Sequence, residues 1–344
     1  MLPIWAAVGC GGSGGSGNGG TASAGTFVET KLVADKPGIA AVTDPNLVNP
    51  WGVSFSPTGA FWLSDNGTGL STLYNGAGAI QPLVVAIPAA GGGTNGPVSG
   101  QVFNSTTSFS LPGSTPAAFI FDSEDGLITA WNGGTTAVTV ADRSATGAVY
   151  KGLAMGVVSA ANELFATNFN SGSIDVFDSS FNYLKSFTDA TVPAGFAPFG
   201  IQNIQGQLYV TFAKQDAAKH DDVAGPGNGF VDVFQTDGTF SKRLVSNGVL
   251  NSPWGMAVAP AGFGKLGGDL LVGNFGDGLV HAFSLATGAS MGTLQTSANQ
   301  PLVVSGLWAL IFGNGGQGGA ANTLYFTAGP NQESDGLFGS ISPA

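Results

Sequence analysis

Pro253-Trp254-Gly255-Met256-Ala257-Val258, followed by Leu270-Leu271-Val272-Gly273-Asn274-Phe275-Gly276-Asp277-Gly278, is the phrase that decides the fold. It is an aromatic-Gly opening, a hydrophobic strand, then a second strand ending in an Asn/Asp/Gly turn. The phrase occurs near the start as Pro50-Trp51-Gly52-Val53-Ser54-Phe55 with Phe61-Trp62-Leu63-Ser64-Asp65-Asn66-Gly67. Its second half returns in mid-chain as Leu164-Phe165-Ala166-Thr167-Asn168-Phe169-Asn170-Ser171-Gly172. Self-similarity at a period of roughly 50 residues marks a radial repeat, and short strands joined by tight turns point to a β-propeller.

Composition agrees. Of 344 residues 43% are hydrophobic, only 9% are charged and 56 are glycine. Long amphipathic helices would need more Glu, Lys and Arg on their wet faces. Strands such as Leu208-Tyr209-Val210-Thr211-Phe212 are apolar on both sides, as expected when both faces of a sheet are covered. Spacing predicts six blades. Their innermost strands begin near 50, 100, 150, 198, 253 and 307. The last has partners at 323–326 and 337–341 but no fourth strand before the chain ends. The strand Phe27-Val28-Glu29-Thr30-Lys31-Leu32-Val33 has no blade of its own and is expected to complete the last one. The expectation is an all-β, six-bladed propeller over residues 26–344, closed by its N-terminal strand.

The single cysteine excludes an intrachain disulfide. Ala7-Val8-Gly9-Cys10 resembles a bacterial lipobox, which makes 1–10 a shortened leader and Cys10 a lipidation site. The Gly/Ser-rich stretch 11–25 then reads as a flexible tether. The protein is accordingly expected outside the cytoplasm, held through lipidated Cys10 at a membrane or cell surface, or secreted. The net charge of −11, with ten Lys and Arg in all, excludes a nucleic-acid binder, which needs clustered cations to neutralise phosphates.

Segments such as Gly229-Phe230-Val231-Asp232-Val233-Phe234 resemble NHL-type repeats and the wider six-bladed class that includes gluconolactonases. Asn49-Pro50-Trp51-Gly52, Glu124-Asp125-Gly126-Leu127-Ile128-Thr129-Ala130-Trp131-Asn132 and Ser252-Pro253-Trp254-Gly255-Met256 are similar to a family of secreted bacterial propellers whose members often carry a PEP-type sorting tail. The resemblance spans about 27–341 and implies a fold, with no established activity to carry over.

In such a ring the turns between second and third strands, and the connections leading into the innermost strands, share one rim at the mouth of the central channel, where ligands are taken. The candidate ligand-binding residues there are Trp51, Asp65, Asn66, Glu124, Asn168, Lys214, Asp216, His220, Trp254, Asn274, Asp277 and Trp308. Asn, Asp and Gly are also what tight turns demand for their own backbone, and repeated aromatics also serve as wedges between blades. The loop from Lys214 to Asn228 gathers Lys214, Asp216, Lys219, His220, Asp221 and Asp222 in a chain otherwise poor in charge. His281, inside a strand, is expected to be packed. Oxygen-rich rims suit a hard cation such as Ca²⁺, with Asp65, Asn168 and Asn274 as candidate ligands; zinc is disfavoured with two histidines and one leader cysteine. Neither a nucleophile elbow nor a phosphate-binding loop lies in the required context, and no catalytic residues are assigned. Two functions compete. The first is a monomeric binding module for a small molecule, glycan or protein. The second is a Ca²⁺-dependent lactonase-like hydrolase at the channel mouth.

Overall fold

The computed structural model describes residues 23–113 and 115–344. The leader 1–10, Cys10 and most of the tether 11–25 lie outside the described residues. Strand β1 (Ser23–Ala34) begins inside the stretch read as tether, and β2 (Val42–Thr43) pairs with its end.

Four antiparallel sheets of four strands follow the chain. They are β3 to β6 (Pro50–Ser54, Phe61–Asp65, Leu70–Tyr74, Ile80–Ala86), and, after a short hairpin β7 and β8 (Pro88–Ala89, Gly93–Thr94), β9 to β12 (Val98–Phe103, Phe119–Ser123, Leu127–Trp131, Val138–Asp142). Next come β13 to β16 (Tyr150–Val158, Ala161–Asn168, Ser173–Phe177, Tyr183–Phe187) and β17 to β20 (Phe196–Ile204, Gln207–Lys214, Gly229–Gln235, Phe240–Ser246). The remaining strands, β21 to β24 (Pro253–Val258, Leu270–Asn274, Val280–Phe283, Ser290–Gln295) and β25 to β27 (Leu307–Phe312, Leu324–Ala328, Leu337–Pro343), are joined by β1 into one nine-stranded sheet.

That junction follows from how β1 pairs. Along Phe27–Ala34 it runs antiparallel to β27, so it stands fourth beside β25, β26 and β27. Its first residues run parallel to β24, Ser23 opposite Thr293 and Thr26 opposite Gln295. One strand therefore covers the outer edges of two neighbouring sheets, edges that would otherwise be open for association. Phe27 anchors it, 2% exposed and packed on Phe263 with ring centroids 5.0 Å apart.

The first strand of each sheet faces a common axis. β3 touches β9, β9 touches β13, β13 touches β17, β17 touches β21, β21 touches β25, and β25 returns to β3. Closure around this axis makes the fold a β-propeller. Burial grades outward as that geometry requires: every residue of β10 is buried, whereas β16 exposes four of its five.

The inner strands carry the aligned core of the repeat. The dipeptides at the axis are Trp51-Gly52, Ser99-Gly100, Lys151-Gly152, Phe199-Gly200, Trp254-Gly255 and Trp308-Ala309. The small second residue is a packing requirement. A Cβ at Gly200 would sit 2.2 Å from the Trp254 carbonyl oxygen, and one at Gly255 2.3 Å from that of Trp308. Among the described residues there is no α-helix, only two single 3₁₀ turns, Ala90–Gly92 and Ser144–Thr146.

Candidate functional site

The residue before each axial Gly or Ala is large in five of the six strands, and those side chains close the axis. Trp51 stacks on Trp308 with centroids 3.7 Å apart, Phe275 stacks on the other side of Trp308 at 4.1 Å, and Trp254 meets Trp308 edge-on at 5.8 Å. Phe199 and Phe169 extend the cluster. Trp308 is completely buried, Trp51 is 2% exposed and Trp254, Phe199 and Phe169 are buried with them, while Phe275 is partly buried at the margin, so the rings form a plug and not the open aromatic rim expected from the sequence. Such offset and edge-to-face contacts stabilise beyond the area they bury.

Lys151 occupies the aromatic position of its own strand. Its side chain is 1% exposed, and its Nζ lies 5.0 Å from the centre of the Trp51 ring and 5.8 Å from that of Phe169. A buried ammonium requires partners. Lys151 donates to Glu124 Oε1 from the β10–β11 turn and to Asp221 Oδ1 at 3.2 Å from the β18–β19 loop. Burial pulls its pKa down, but Glu124 and Asp221 outweigh that, so the net shift is upward and the group stays charged.

From Glu124 the network continues around the mouth. Asn66 Nδ2 donates to Glu124 Oε2 at 2.7 Å, Asn49 Nδ2 donates to Asn66 Oδ1 at 3.3 Å and to Glu333 Oε2 at 2.8 Å. Trp308 Nε1 donates to Asn49 Oδ1 at 2.9 Å, tying the polar layer to the plug beneath. Trp254 Nε1 does the same through the Lys151 carbonyl at 2.8 Å. Glu333 reaches inward from a turn in which Asn331, Gln332 and Glu333 all have left-handed backbone, with φ of 55°, 56° and 65°. Each such non-glycine residue costs on the order of 1 kcal/mol or more, and such strain gathers at sites where a side chain must be aimed. Burial raises the Glu333 pKa, partly offset by the Asn49 bond and reinforced by Glu124. Asp222 is raised by burial as well.

The structure sorts the sequence candidates into two groups. Asn66, Glu124 and His220 come together; His220 Nδ1 lies 2.9 Å from Asp221 Oδ1. Trp51, Trp254 and Trp308 lie directly beneath them. Asp65, Asn168 and Asn274 end equivalent second strands in separate sheets and are not joined as a metal site. Asn168 Oδ1 accepts from Val149 N and its Nδ2 donates to Asp175, while Asn274 Oδ1 accepts from Asn251 N and its Nδ2 donates to Val249 O. Those amides are consumed in holding the neighbouring turns. Asp65 is wholly buried near Asp44, Thr72 and Tyr74, and desolvation raises its pKa well above the carboxylate range. Asp277 braces Asn251 at 3.2 Å, Asp216 accepts from the backbone of His220 and Asp221 within its own loop, and Lys214 projects outward at the end of β18. His281 is buried, bonded to Thr293 Oγ1 at 2.9 Å and shifted down by desolvation.

Lys151 and Asn49 were not among the sequence candidates, whereas Glu333 lies in a turn, 330–335, that the spacing places on the same rim. Lys151 was legible only by aligning Lys151-Gly152 with Trp51-Gly52 and Trp254-Gly255.

Glu124, His220 and Asp221 each place a ligand-type atom within 4.8 Å of the others. Two of these three groups already hold the Lys151 ammonium, a resident positive charge where a metal ion would stand.

No family model matches the chain. Among solved structures it is similar to an α-L-arabinanase of Penicillium chrysogenum complexed with arabinobiose (TM-score 0.57, 11% identity, 92% of this chain and 98% of that one). It is also similar to a catalytically inactive virginiamycin B lyase of Staphylococcus aureus with quinupristin (TM-score 0.52, 14% identity, 92% and 99%). At these identities the likeness is one of fold. Two uncharacterised proteins of Acanthamoeba polyphaga mimivirus are each 32% identical, one over 326 residues covering 90% of this chain and 78% of the relative, the other over 331 residues covering 92% and 86%. With that identity over nearly the whole propeller, the chain belongs to the same family as these mimivirus proteins.

Proposed function

We propose that this protein is a binding propeller whose recognition face is the acidic, amide-rich mouth around Lys151, and that its ligand is rich in hydroxyl groups, as a glycan is. The observation that carries the reading is the mutual commitment of Glu124, Lys151 and Asp221 above a closed aromatic plug. Those charges serve to fix a surface. Asn66, Glu124 and Glu333, held from beneath by buried Asn49, offer amide and carboxylate groups that match the alternating donors and acceptors of a diol. On this reading the ring has six blades closed by β1, it is allied to the secreted bacterial propellers, and Cys10 anchors it outside the cytoplasm. A glycan array probed with the protein and with Asn66→Ala tests the proposal. Retention of a glycan class by the parent, lost in the variant, supports it; no retention by the parent overturns it.

A second reading rests on the Glu124, His220 and Asp221 cluster, which would hold a divalent cation in a hydrolase of the lactonase type. It requires Lys151 to yield its place. A rise in Tm with millimolar Ca²⁺, absent in Glu124→Gln, would favour it over the binding reading.

A further inference from the structure

The opposite end of the axis holds a cavity. Below the plug, the later halves of the inner strands enclose a cavity of about 340 Å³, lined by Phe55, Phe103, Met155, Ile201, Leu310 and Ile311 together with other inner-strand residues. The connections at that end are the ones joining first to second strands, so the cavity lies away from Lys151, Glu124 and the mouth network. The aromatic plug makes it blind at its inner end, with Trp254 and the axial glycines as its floor.

Its lining contains no Asp, Glu, Lys, Arg or His. An ion entering it would lose its hydration with no opposite charge to replace it. The polar groups present are all neutral and unequally available. Gln101, 6% exposed, has its amide Nε2 committed to the Gly52 and Trp62 carbonyls and to Ser64, and its Oε1 accepts from Ser54 Oγ at 3.0 Å. Asn203 Nδ2 donates to Met155 O at 2.9 Å. The Gln202 side-chain amide, on the same strand as Asn203, has no partner of its own among the described residues, leaving its two N–H donors and its carbonyl acceptor available on a mainly apolar wall. The volume falls at the lower end of the range of about 300–1,000 Å³ that small-molecule sites occupy.

We infer that this chamber is a ligand site for a small uncharged molecule with an apolar body and one hydrogen-bonding end, engaged by Gln202. It stands independently of the reading given to the mouth.

The test uses the neutral fluorophore N-phenyl-1-naphthylamine and its anionic relative 8-anilinonaphthalene-1-sulfonate, titrated into the folded protein. The neutral probe should bind saturably at one site, at least tenfold tighter than the sulfonate. Met155→Trp and Ile311→Trp fill the chamber from two different sheets, and either should weaken the neutral probe at least tenfold while melting cooperatively. Glu124→Gln, at the mouth, should leave its affinity unchanged. Absence of saturable binding by the parent, equal affinity for the sulfonate, or binding that survives in whichever filling variant folds would overturn the assignment. Unchanged probe affinity in Glu124→Gln also separates this site from the mouth, so failure of one reading does not decide the other.

Discussion

Lys151 Nζ lies 3.2 Å from Asp221 Oδ1, so the innermost strand β13 is tied directly to the most charged loop of the chain. The two halves of the Lys151 ion-pair system are unequal. Glu124 is nearly buried, with its side chain 10% exposed, whereas Asp221 is 67% exposed. Removing the lysine strands the buried carboxylate, whereas removing the solvated aspartate costs little.

Lys151→Met is therefore expected to destabilise the fold by about 3–5 kcal/mol, the usual penalty for breaking a buried pair from one side. Asp221→Asn should cost less than about 1 kcal/mol. Urea denaturation at pH 7 measures both. Adding Glu124→Leu to Lys151→Met should recover part of the loss, because it removes the orphaned charge. No recovery would mean that Lys151 acts mainly through its packing on Trp51.

Phe27 carries the closure of the ring at the level of packing. Truncation to Ala leaves a cavity against Phe263 and weakens the strand that covers two sheet edges. The expected loss is about 3–5 kcal/mol, read from guanidinium unfolding. A concentration-dependent increase in light scattering should accompany it, as the edges of β24 and β27 become available to other molecules.

The part of the fold that repeats was legible because each repeat states the same physical need. The innermost strands start within two residues of where the spacing places them, at Pro50, Val98, Tyr150, Phe196, Pro253 and Leu307, because the same entry phrase opens them. The pairing of 27–33 with the last sheet followed from an unmatched strand and an incomplete sheet. The mouth was less legible. Glu124 and Asn66 were identified, but their partners Lys151, Asn49 and Glu333 come from three other segments, and only closure brings these together. Aromatic residues drew attention in the inner strands, which hid Lys151, the one member of the set that is charged. The turn residues Asn168 and Asn274 looked like ligands for the same reason that they make good turns: their side chains bond backbone.

Asp122 gives the stability a pH dependence of definite sign. Its carboxyl is fully buried, accepting from Ser99 Oγ at 2.9 Å and Gly100 N at 2.5 Å, and desolvation pushes its pKa from 3.8 up to about 7. Between those values the folded state holds a proton that the unfolded state has released. The contribution is fully present below pH 3.8 and is lost as pH rises towards 7. Asp232 is pushed up to about 6, chiefly by burial, against the opposing pull of Arg243, so it adds to the same slope. Asp122→Asn keeps an oxygen acceptor for Ser99 and Gly100 but cannot ionise. Its unfolding free energy should fall less steeply than that of the parent between pH 4.5 and 7, and parallel profiles would show that Asp122 is already ionised in the fold.

The axial dipeptides predict a ranking among substitutions of identical chemistry. A methyl group at Gly200 meets the Trp254 carbonyl oxygen at 2.2 Å and its carbon at 2.9 Å, both backbone atoms that cannot move without displacing strand β21. At Gly152 the nearest atom, the Phe199 carbonyl oxygen, is 3.0 Å away, and the next is the Thr167 hydroxyl at 3.3 Å. The sixth strand carries Ala309 at the corresponding place, so the ring accepts one Cβ where spacing permits. Gly152→Ala should then cost on the order of 1 kcal/mol, while Gly200→Ala should exceed the roughly 1–3 kcal/mol typical of overpacking or prevent folding. Thermal melts of the two variants decide the matter. Equal losses would mean that the inner strands shift apart freely, and in that case the plug of Trp51, Trp254 and Trp308 would not be held by backbone contact at the axis.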